Sequence, residues 1–291
     1  MNVIVNGVLL GLGYCLIAIG MSFILGVAKV FDLAYASYYL IAAYTVVMLV
    51  HIAGPYLSIW LIFLIGIFAA VAVALVTHYF LVLPLRKQPT SVLVSTIAVA
   101  MVVQEILIFQ EGATPVYLPG FVKGATPVLG VWVVNTKLLV AAVTVTMMAL
   151  IWLLLTKTRL GLAIRATAEQ PEAMQLAGGN IRRIWLVSAS LAAGLGGVAS
   201  LLLGSIYPPH PYLWLDLLLI AFAVMALGGM GNIWACLPAG LILGISEAAF
   251  AVYVPSGGIL KRSVGMIIIV LVLVIKPNGL FGVKGWEEQS T

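Results

Sequence analysis

The chain has 291 residues, of which 64% are hydrophobic and only 8% are charged, and its mean hydropathy is +1.21. Soluble domains carry about a quarter charged residues, so this composition excludes a soluble globular protein. Apolar runs of the roughly 20 residues that span a bilayer recur along the chain, whereas a transmembrane barrel has short alternating segments. The sequence therefore predicts an all-α, polytopic transmembrane helical bundle in membrane lipid. The net charge of +5 fits basic residues beside membrane spans and predicts no nucleic-acid partner.

About nine spans, within a range of eight to ten, are predicted in chain order. They cover residues 3–28, 33–52, 57–82, 90–110, 137–156, 184–206, 213–230, 236–254 and 262–276. Turn residues rich in Pro and Gly separate them. The segment 111–136, with Pro115, Pro119 and Pro127, is predicted to be a loop or a short interfacial excursion. No separate soluble domain fits, so residues 1–291 are predicted to form one transmembrane domain.

The basic residues predict the orientation of the bundle. If the loop with Arg86 and Lys87 is cytoplasmic, ten basic residues lie inside and four outside. The inside set is Lys29, Arg86, Lys87, Lys157, Arg159, Arg165, Arg182, Arg183, Lys276 and Lys284, and the outside set is Lys123, Lys137, Lys261 and Arg262. This bias predicts an N-terminus outside and a C-terminus inside.

One polar segment, RATAEQPEAMQLAGG at 165–179, interrupts this apolar chain. Glu169, Glu172, Ala173 and Leu176 fall on one face at helical spacing. Pro171 suits a first helical turn, and the Gly pair that follows suits a stop. A short helix of about two turns is therefore predicted within a cytoplasmic loop at about 157–183. Physical reasoning leaves two interpretations open: a rigid element that receives force from a cytoplasmic partner, or an ordinary solvated loop.

Four stretches together resemble a known family. GLAIRATAEQPEAMQLAGGNIRR looks like the coupling-loop motif of permease subunits in bacterial ABC importers of the branched-chain amino acid type. NGVLLGLGYCLIAIGMSFILGV is similar to that family's first span, ALGGMGNIWACLPAGLILGISEA to its Gly-rich junction, and IKPNGLFG to its C-terminal signature. The matches run in the family's order from about residue 6 to 282. The length is similar to the H-type permease.

This resemblance implies a transport subunit of the bacterial cytoplasmic (inner) membrane. Its partners would be two ATPase subunits that carry ATP and Mg, a second, M-type permease subunit or a second copy of this chain, and a periplasmic or surface solute-binding protein. The cargo would be a small polar solute such as a branched-chain or other amino acid, an amide or urea. The residues that match the coupling motif are Arg165, Glu169, Glu172, Ala173, Leu176 and Gly178.

The chain lacks the motifs of an enzyme. It has no GxxxxGK[ST] phosphate loop, no HExxH or GxSxG motif, and no metal-spaced His and Cys cluster. No catalytic residue, metal site or cofactor is therefore predicted in this chain, and an intramembrane enzyme is disfavoured. The alternative is a secondary transporter or channel that works alone, for which Glu105 and Glu247 could form a coupling-ion site.

Acidic residues in or beside spans are candidates for a translocation pathway. The candidates are Asp32, Glu105 and Glu247, with buried structural hydrogen bonds as the alternative. Asp32 lies in FDLAYA, where the family usually has an Asn-Phe-Ala-His-Gly type stretch. Asp216 is interpreted as a capping or interfacial group, and His78 as an interfacial residue.

The glycines of LGGMGN form a separate candidate site. Gly228, Gly229 and Gly231 serve poorly as a helix interior, because glycine has a low helix propensity. They are predicted to be a hinge or a point of tight backbone packing, and a plain turn between helices is the alternative.

Overall fold

The computed structural model describes residues 2–53, 56–118, 122, 124–128, 130–253, 267, 270, 272, 274–276 and 279–281. Most of these residues are helical. The helices are α1 (Asn2–Ala28), α2 (Tyr35–Ala53), α3 (Ile59–Thr77), α4 (Leu83–Leu85), α5 (Pro89–Glu111), α6 (Asn135–Lys157), α7 (Arg159–Glu169), α8 (Pro171–Leu176), α9 (Ile181–Gly204), α10 (Leu213–Gly228) and α11 (Cys236–Tyr253). A π-helical turn, His78–Val82, joins α3 to α4 in one continuous helix.

Seven helices among the described residues are long and apolar enough to cross a membrane. They are Val3–Ala28, Tyr35–Ala53, Ile59–Leu85, Pro89–Glu111, Asn135–Lys157, Ile181–Gly204 and Cys236–Tyr253. These correspond to the first six predicted spans and the eighth, so the polytopic helical bundle is confirmed. The seventh predicted span is the shorter apolar helix α10, with 16 residues. Most of the ninth, 262–276, lies outside the described residues.

Helix α1 occupies the centre of the bundle and packs against α6, α9, α10 and α11. Its closest neighbour is α11, because glycines spaced four apart face each other. A Cβ atom on Gly7 would lie 2.7 Å from the Cα atom of Ile245, and one on Gly11 would lie 2.5 Å from the carbonyl oxygen of Gly240. Small residues at this spacing let backbones approach closely in lipid, where packing drives helix association.

The segment between α5 and α6 contains a β-hairpin that the sequence did not predict. Strands β1 (Ala125–Val128) and β2 (Val131–Val134) pair antiparallel, with Ala125 opposite Val134. The side chains of β2 point alternately inward and outward, as in a half-buried strand, with Val131 and Val133 buried. Strands of four residues are too short to give a clear alternating pattern in the sequence. The surrounding Pro and Gly residues therefore led to the prediction of a loop or a short interfacial excursion.

Candidate functional site

A cavity of about 370 Å³ extends between α1, α6, α10 and α11. It reaches from the helix ends at Val3 and Val252 to Tyr14 and Ile17, halfway along α1. Most of its lining is apolar, and a few polar side chains converge on it, which is the usual character of a small-molecule site. The polar or charged lining residues are Asn6, Tyr14, Tyr39, Lys137, Tyr207, Asp216 and Glu247.

The charged residues of this cavity carry both signs. The Glu247 carboxylate is buried and accepts a hydrogen bond of 2.7 Å from the Tyr14 hydroxyl. The Lys137 ammonium donates to the side-chain oxygen of Asn6 at 3.4 Å, and Asp216 joins the lining from the first turn of α10. The cavity therefore offers a cation and two carboxylates within mainly apolar walls.

The buried end of this cavity is closed by aromatic packing. The hydroxyl group of Tyr35 donates to the carbonyl oxygen of Ile17 at 2.9 Å, and both residues are buried. The Tyr35 ring occupies space beside Gly20 of α1, where any Cβ atom would collide with it. Tyr38 is buried on the next turns of α2. A solute that reaches Ile17 meets a filled core in this conformation.

The three acidic candidates lie in three different places. Only Glu247 lines the cavity. Glu105 is exposed on the outer face of α5, beside the exposed apolar residues Met101, Val102 and Phe109. Its carboxylate accepts from the Gln104 amide at 3.1 Å. The cavity in this chain therefore gives no support to a pathway role for Glu105.

Asp32 is buried in contact with the imidazole of His78. The Nε2 atom of His78 lies 3.0 Å from one carboxylate oxygen of Asp32, and the other oxygen accepts from the backbone N–H of Ala34 at 2.9 Å. His78, which was interpreted as an interfacial residue, is buried within the protein at the start of the π-helical turn. Such turns often mark functional positions in helices. Asp32 therefore links the turn before α2 to the π-helical turn that follows α3.

Arg86 contacts the end of α1 close to Asp32 and His78. Its guanidinium donates to the carbonyl oxygen of Ala28 at 2.8 Å and lies 3.1 Å from the ring centre of Trp185 on α9. Burial lowers the pKa of Arg86 to about 10, which still leaves it protonated at neutral pH. The next residue of the chain after Ala28, Lys29, has a positive φ of 52°, so α1 ends sharply here.

The predicted short helix with Pro171 in its first turn is α8, but a second helix, α7, precedes it and contains Glu169. Glu169 ends α7 and Pro171 begins α8, because proline cannot continue the backbone hydrogen bonding of α7. The six residues that match the coupling motif are all exposed: Arg165, Glu169, Glu172, Ala173, Leu176 and Gly178. Leu176 is 90% exposed, an unusual position for leucine on a polar segment. This surface is available to a partner.

The glycine candidates form a tight turn after α10. Gly229 and Gly231 have φ values of 117° and 78°, which other residues rarely adopt. A Cβ atom on Gly26 of α1 would lie 2.7 Å from the carbonyl oxygen of Gly231. Phe281 donates its backbone N–H to the carbonyl oxygen of Gly228 at 3.0 Å, so the C-terminal signature pins this turn. The geometry is one of close packing, and a hinge remains a hypothesis.

Sequence reasoning missed Lys137 and Tyr14 and interpreted Asp216 as a capping or interfacial group. Lys137 counted only toward orientation, because its partner Asn6 is 131 residues away. No local pattern announces such a contact. Tyr14 is one of 11 tyrosines, and only its bond to Glu247 distinguishes it.

Comparison with known proteins agrees with this architecture. The family model described as "Branched-chain amino acid transport system / permease component" matches residues 3–275. The permease protein LivH of Escherichia coli K12 is 30% identical over 95% of this chain and 94% of its own length. BraD of Pseudomonas aeruginosa is also 30% identical, over 96% and 94%. A probable LivH of Methanocaldococcus jannaschii is 31% identical over 94% and 89%. No solved structure gives a significant match.

The matching family model covers nearly the whole chain, and the relatives align from end to end. The predicted resemblance is therefore confirmed. The chain is a multi-pass protein of the cytoplasmic membrane and a non-catalytic transport component, and it belongs to the permease family of branched-chain amino acid ABC importers.

Proposed function

We propose that this permease moves a small zwitterionic solute, an amino acid with an apolar side chain, through the cavity beside α1. The observation that carries the proposal is the presence of Lys137, Asp216 and Glu247 in one mainly apolar cavity. An amino acid carries a carboxylate and an ammonium group, which the Lys137 ammonium and the two carboxylates would complement. The related permeases LivH and BraD are named for branched-chain amino acid transport.

The polar contacts of this cavity favour transient binding of a solute over tight binding. Glu247 is bonded to Tyr14, and Lys137 contacts Asn6, so a solute has to exchange with existing partners. Each new bond then replaces an old one, and the net gain in free energy is small. A path with weak, exchangeable contacts releases its solute at the next step of transport. Selectivity would then depend largely on the solute-binding protein.

The energy source in this proposal is a pair of ATPase subunits that dock on α7 and α8. Exposed glutamates and the exposed Leu176 supply a charged rim around an apolar anchor, a common composition of protein interfaces. A second permease, either M-type or a second copy of this chain, would complete the membrane part. A binding protein would deliver solute at the cavity end of α1.

The proposed orientation places α7 and α8 in the cytoplasm and the N-terminus outside. Arg86 contacts the end of α1 and the start of α9, which gathers the basic ends of these helices on one side. This arrangement supports the positive-inside distribution of ten residues against four. The cavity then faces the side from which a binding protein would deliver solute.

Uptake by the reconstituted transporter tests the proposed function. The chain is placed in proteoliposomes with its ATPases, second permease and binding protein, and ATP-dependent uptake of labelled leucine, urea and acetamide is compared. We expect leucine uptake that requires ATP and that falls at least about tenfold in Lys137→Gln and Glu247→Gln. Uptake of urea or acetamide without uptake of leucine would contradict the proposal that the solute is a zwitterionic amino acid. Uptake without the ATPases would favour the stand-alone transporter.

A further inference from the structure

The start of α9 connects the exposed helix α8 with the end of α1. Only four residues, 177–180, separate α8 from α9. Gly179 donates its backbone N–H to the carbonyl oxygen of Met174 at 2.9 Å, and the Asn180 side chain accepts from the N–H of Arg183 at 3.1 Å. Both helix ends are therefore capped, and this connection is stiff.

Two aromatic contacts link α9 to the helix that contains the π-helical turn. The guanidinium of Arg182 lies 4.4 Å from the ring centre of Tyr79, which belongs to the π-helical turn. The guanidinium of Arg86 lies 3.1 Å from the ring centre of Trp185. Cations at these distances are attracted to aromatic faces. A movement of the first turns of α9 would therefore be passed to both ends of the segment 78–86, through Tyr79 and through Arg86.

Arg86 continues this connection to α1. The same guanidinium that stacks on Trp185 donates to the carbonyl oxygen of Ala28, the last residue of α1. These groups, together with His78 and Leu186, line a pocket of only about 10 Å³. The guanidinium therefore lies close to both α9 and the end of α1.

We propose that Arg86 and Trp185 are positioning residues for ATP-driven transport, which transmit movement of α8 to the end of α1 through the stacked guanidinium and its bond to Ala28. This inference rests on the proposed function, in which α7 and α8 receive the ATPase. Helix α1 also lines the solute cavity with Asn6, Tyr14 and Ile17. Displacement of its far end therefore acts on the floor of the cavity, where Tyr35 bonds to Ile17.

The geometry predicts which parts of the stacked pair are replaceable. Phenylalanine at position 185 keeps an aromatic face for the cation. Lysine at position 86 keeps the charge, but it lacks the planar group that stacks and donates at the same time. Trp185→Phe should therefore retain much of the function, whereas Trp185→Ala, Arg86→Ala and Arg86→Lys should lose more. If these residues had a purely structural role, the loss of uptake in each variant would follow its loss of stability, and uptake per ATP hydrolysed would not change.

The test is leucine uptake per ATP hydrolysed by the complete transporter in proteoliposomes. In Trp185→Ala and Arg86→Ala we expect ATPase stimulation by the binding protein within about twofold of wild type, and uptake about tenfold lower. Trp185→Phe should restore uptake. Arg183→Ala, which removes the neighbouring exposed charge, is the control and should leave uptake per ATP unchanged. If the alanine variants fail to assemble, Arg86→Lys provides the same comparison.

Two outcomes separate the inference from the proposed function. The charge-reversal variant Glu169→Lys, Glu172→Lys is measured in parallel. Normal uptake by this variant would contradict docking of the ATPase on α7 and α8, and the inference would fail with it. If the charge-reversal variant loses uptake while Trp185→Ala and Arg86→Lys keep normal uptake per ATP, the inference about Arg86 and Trp185 would be overturned and the proposed function would stand.

Discussion

The Nε2 atom of His78 lies 3.0 Å from a carboxylate oxygen of Asp32, and both side chains are buried where α1 turns into α2. His78→Ala leaves this carboxylate buried without its imidazole partner. Loss of one member of a buried pair costs about 3–5 kcal/mol, so we expect a large drop in the thermal unfolding temperature in detergent.

Asp32→Asn is the matched variant for this pair. Asparagine is uncharged and close to aspartate in size, and its side-chain oxygen can still accept from the N–H of Ala34. We expect the double variant Asp32→Asn, His78→Ala to be more stable than the sum of the single effects predicts, because no charge stays buried. Additive single effects would show that the two side chains do not interact.

The crossing of α1 and α11 makes a second prediction about stability. Gly11→Ala puts a methyl group 2.5 Å from the carbonyl oxygen of Gly240, and backbone cannot yield as a flexible side chain does. Overpacking of this kind costs about 1–3 kcal/mol, so the unfolding temperature should fall.

Gly194→Ala on α9 is the control for this crossing. Its nearest neighbour outside the helix would be a side-chain carbon of Val71 at 3.8 Å, an ordinary contact. Alanine favours a helix interior over glycine by about 1 kcal/mol in general. We therefore expect unchanged or slightly higher stability. An equal loss in both variants would mean that the glycines of α1 are not specifically required at the crossing.

The sequence predicted the parts of this fold that depend on local patterns. Long apolar runs located seven spans. Glu247 was found because a carboxylate within a span is costly without a role. Contacts between distant segments left no local signal. His78 meets Asp32 across 46 residues, and Lys137 meets Asn6 across 131.

Leu176 provides the sharpest prediction for the surface of α8. Its side chain is 90% exposed, and a few central side chains usually carry most of the binding free energy of an interface. We expect Leu176→Ala to weaken copurification of the ATPase subunits by roughly tenfold, which corresponds to about 1.4 kcal/mol. Leu64→Ala, at an exposed position on α3, is the control and should copurify normally. Normal binding by Leu176→Ala would show that this side chain is not an anchor.

Cysteine labelling tests the orientation of the bundle. Gln170 and Ala125 are exposed, on the α7–α8 connection and on β1. A membrane-impermeant maleimide added to intact cells should label Ala125→Cys, and Gln170→Cys only after the membrane is opened. The native Cys15 and Cys236 are buried and should give little background. Labelling of both positions from the same side would reveal an error in the number of spans between them.

The turn after α10 carries the last prediction. Gly231 has a φ of 78°, so Gly231→Ala should lose about 1–2 kcal/mol from backbone strain and transport less solute. This loss is expected for a plain turn and for a hinge alike, so alanine alone does not distinguish them. Asparagine tolerates a left-handed backbone better than alanine does.

Gly231→Asn therefore separates the two interpretations. The turn is pinned by Phe281, which donates to the carbonyl oxygen of Gly228 at 3.0 Å and accepts from the Asn232 side chain at 3.2 Å. These bonds favour a fixed turn. In a fixed turn, the residue at position 231 only has to adopt the left-handed backbone conformation. We expect Gly231→Asn to recover both the unfolding temperature and the uptake that Gly231→Ala loses. Recovered stability without recovered uptake would instead mean that this residue changes conformation during transport, as a hinge does.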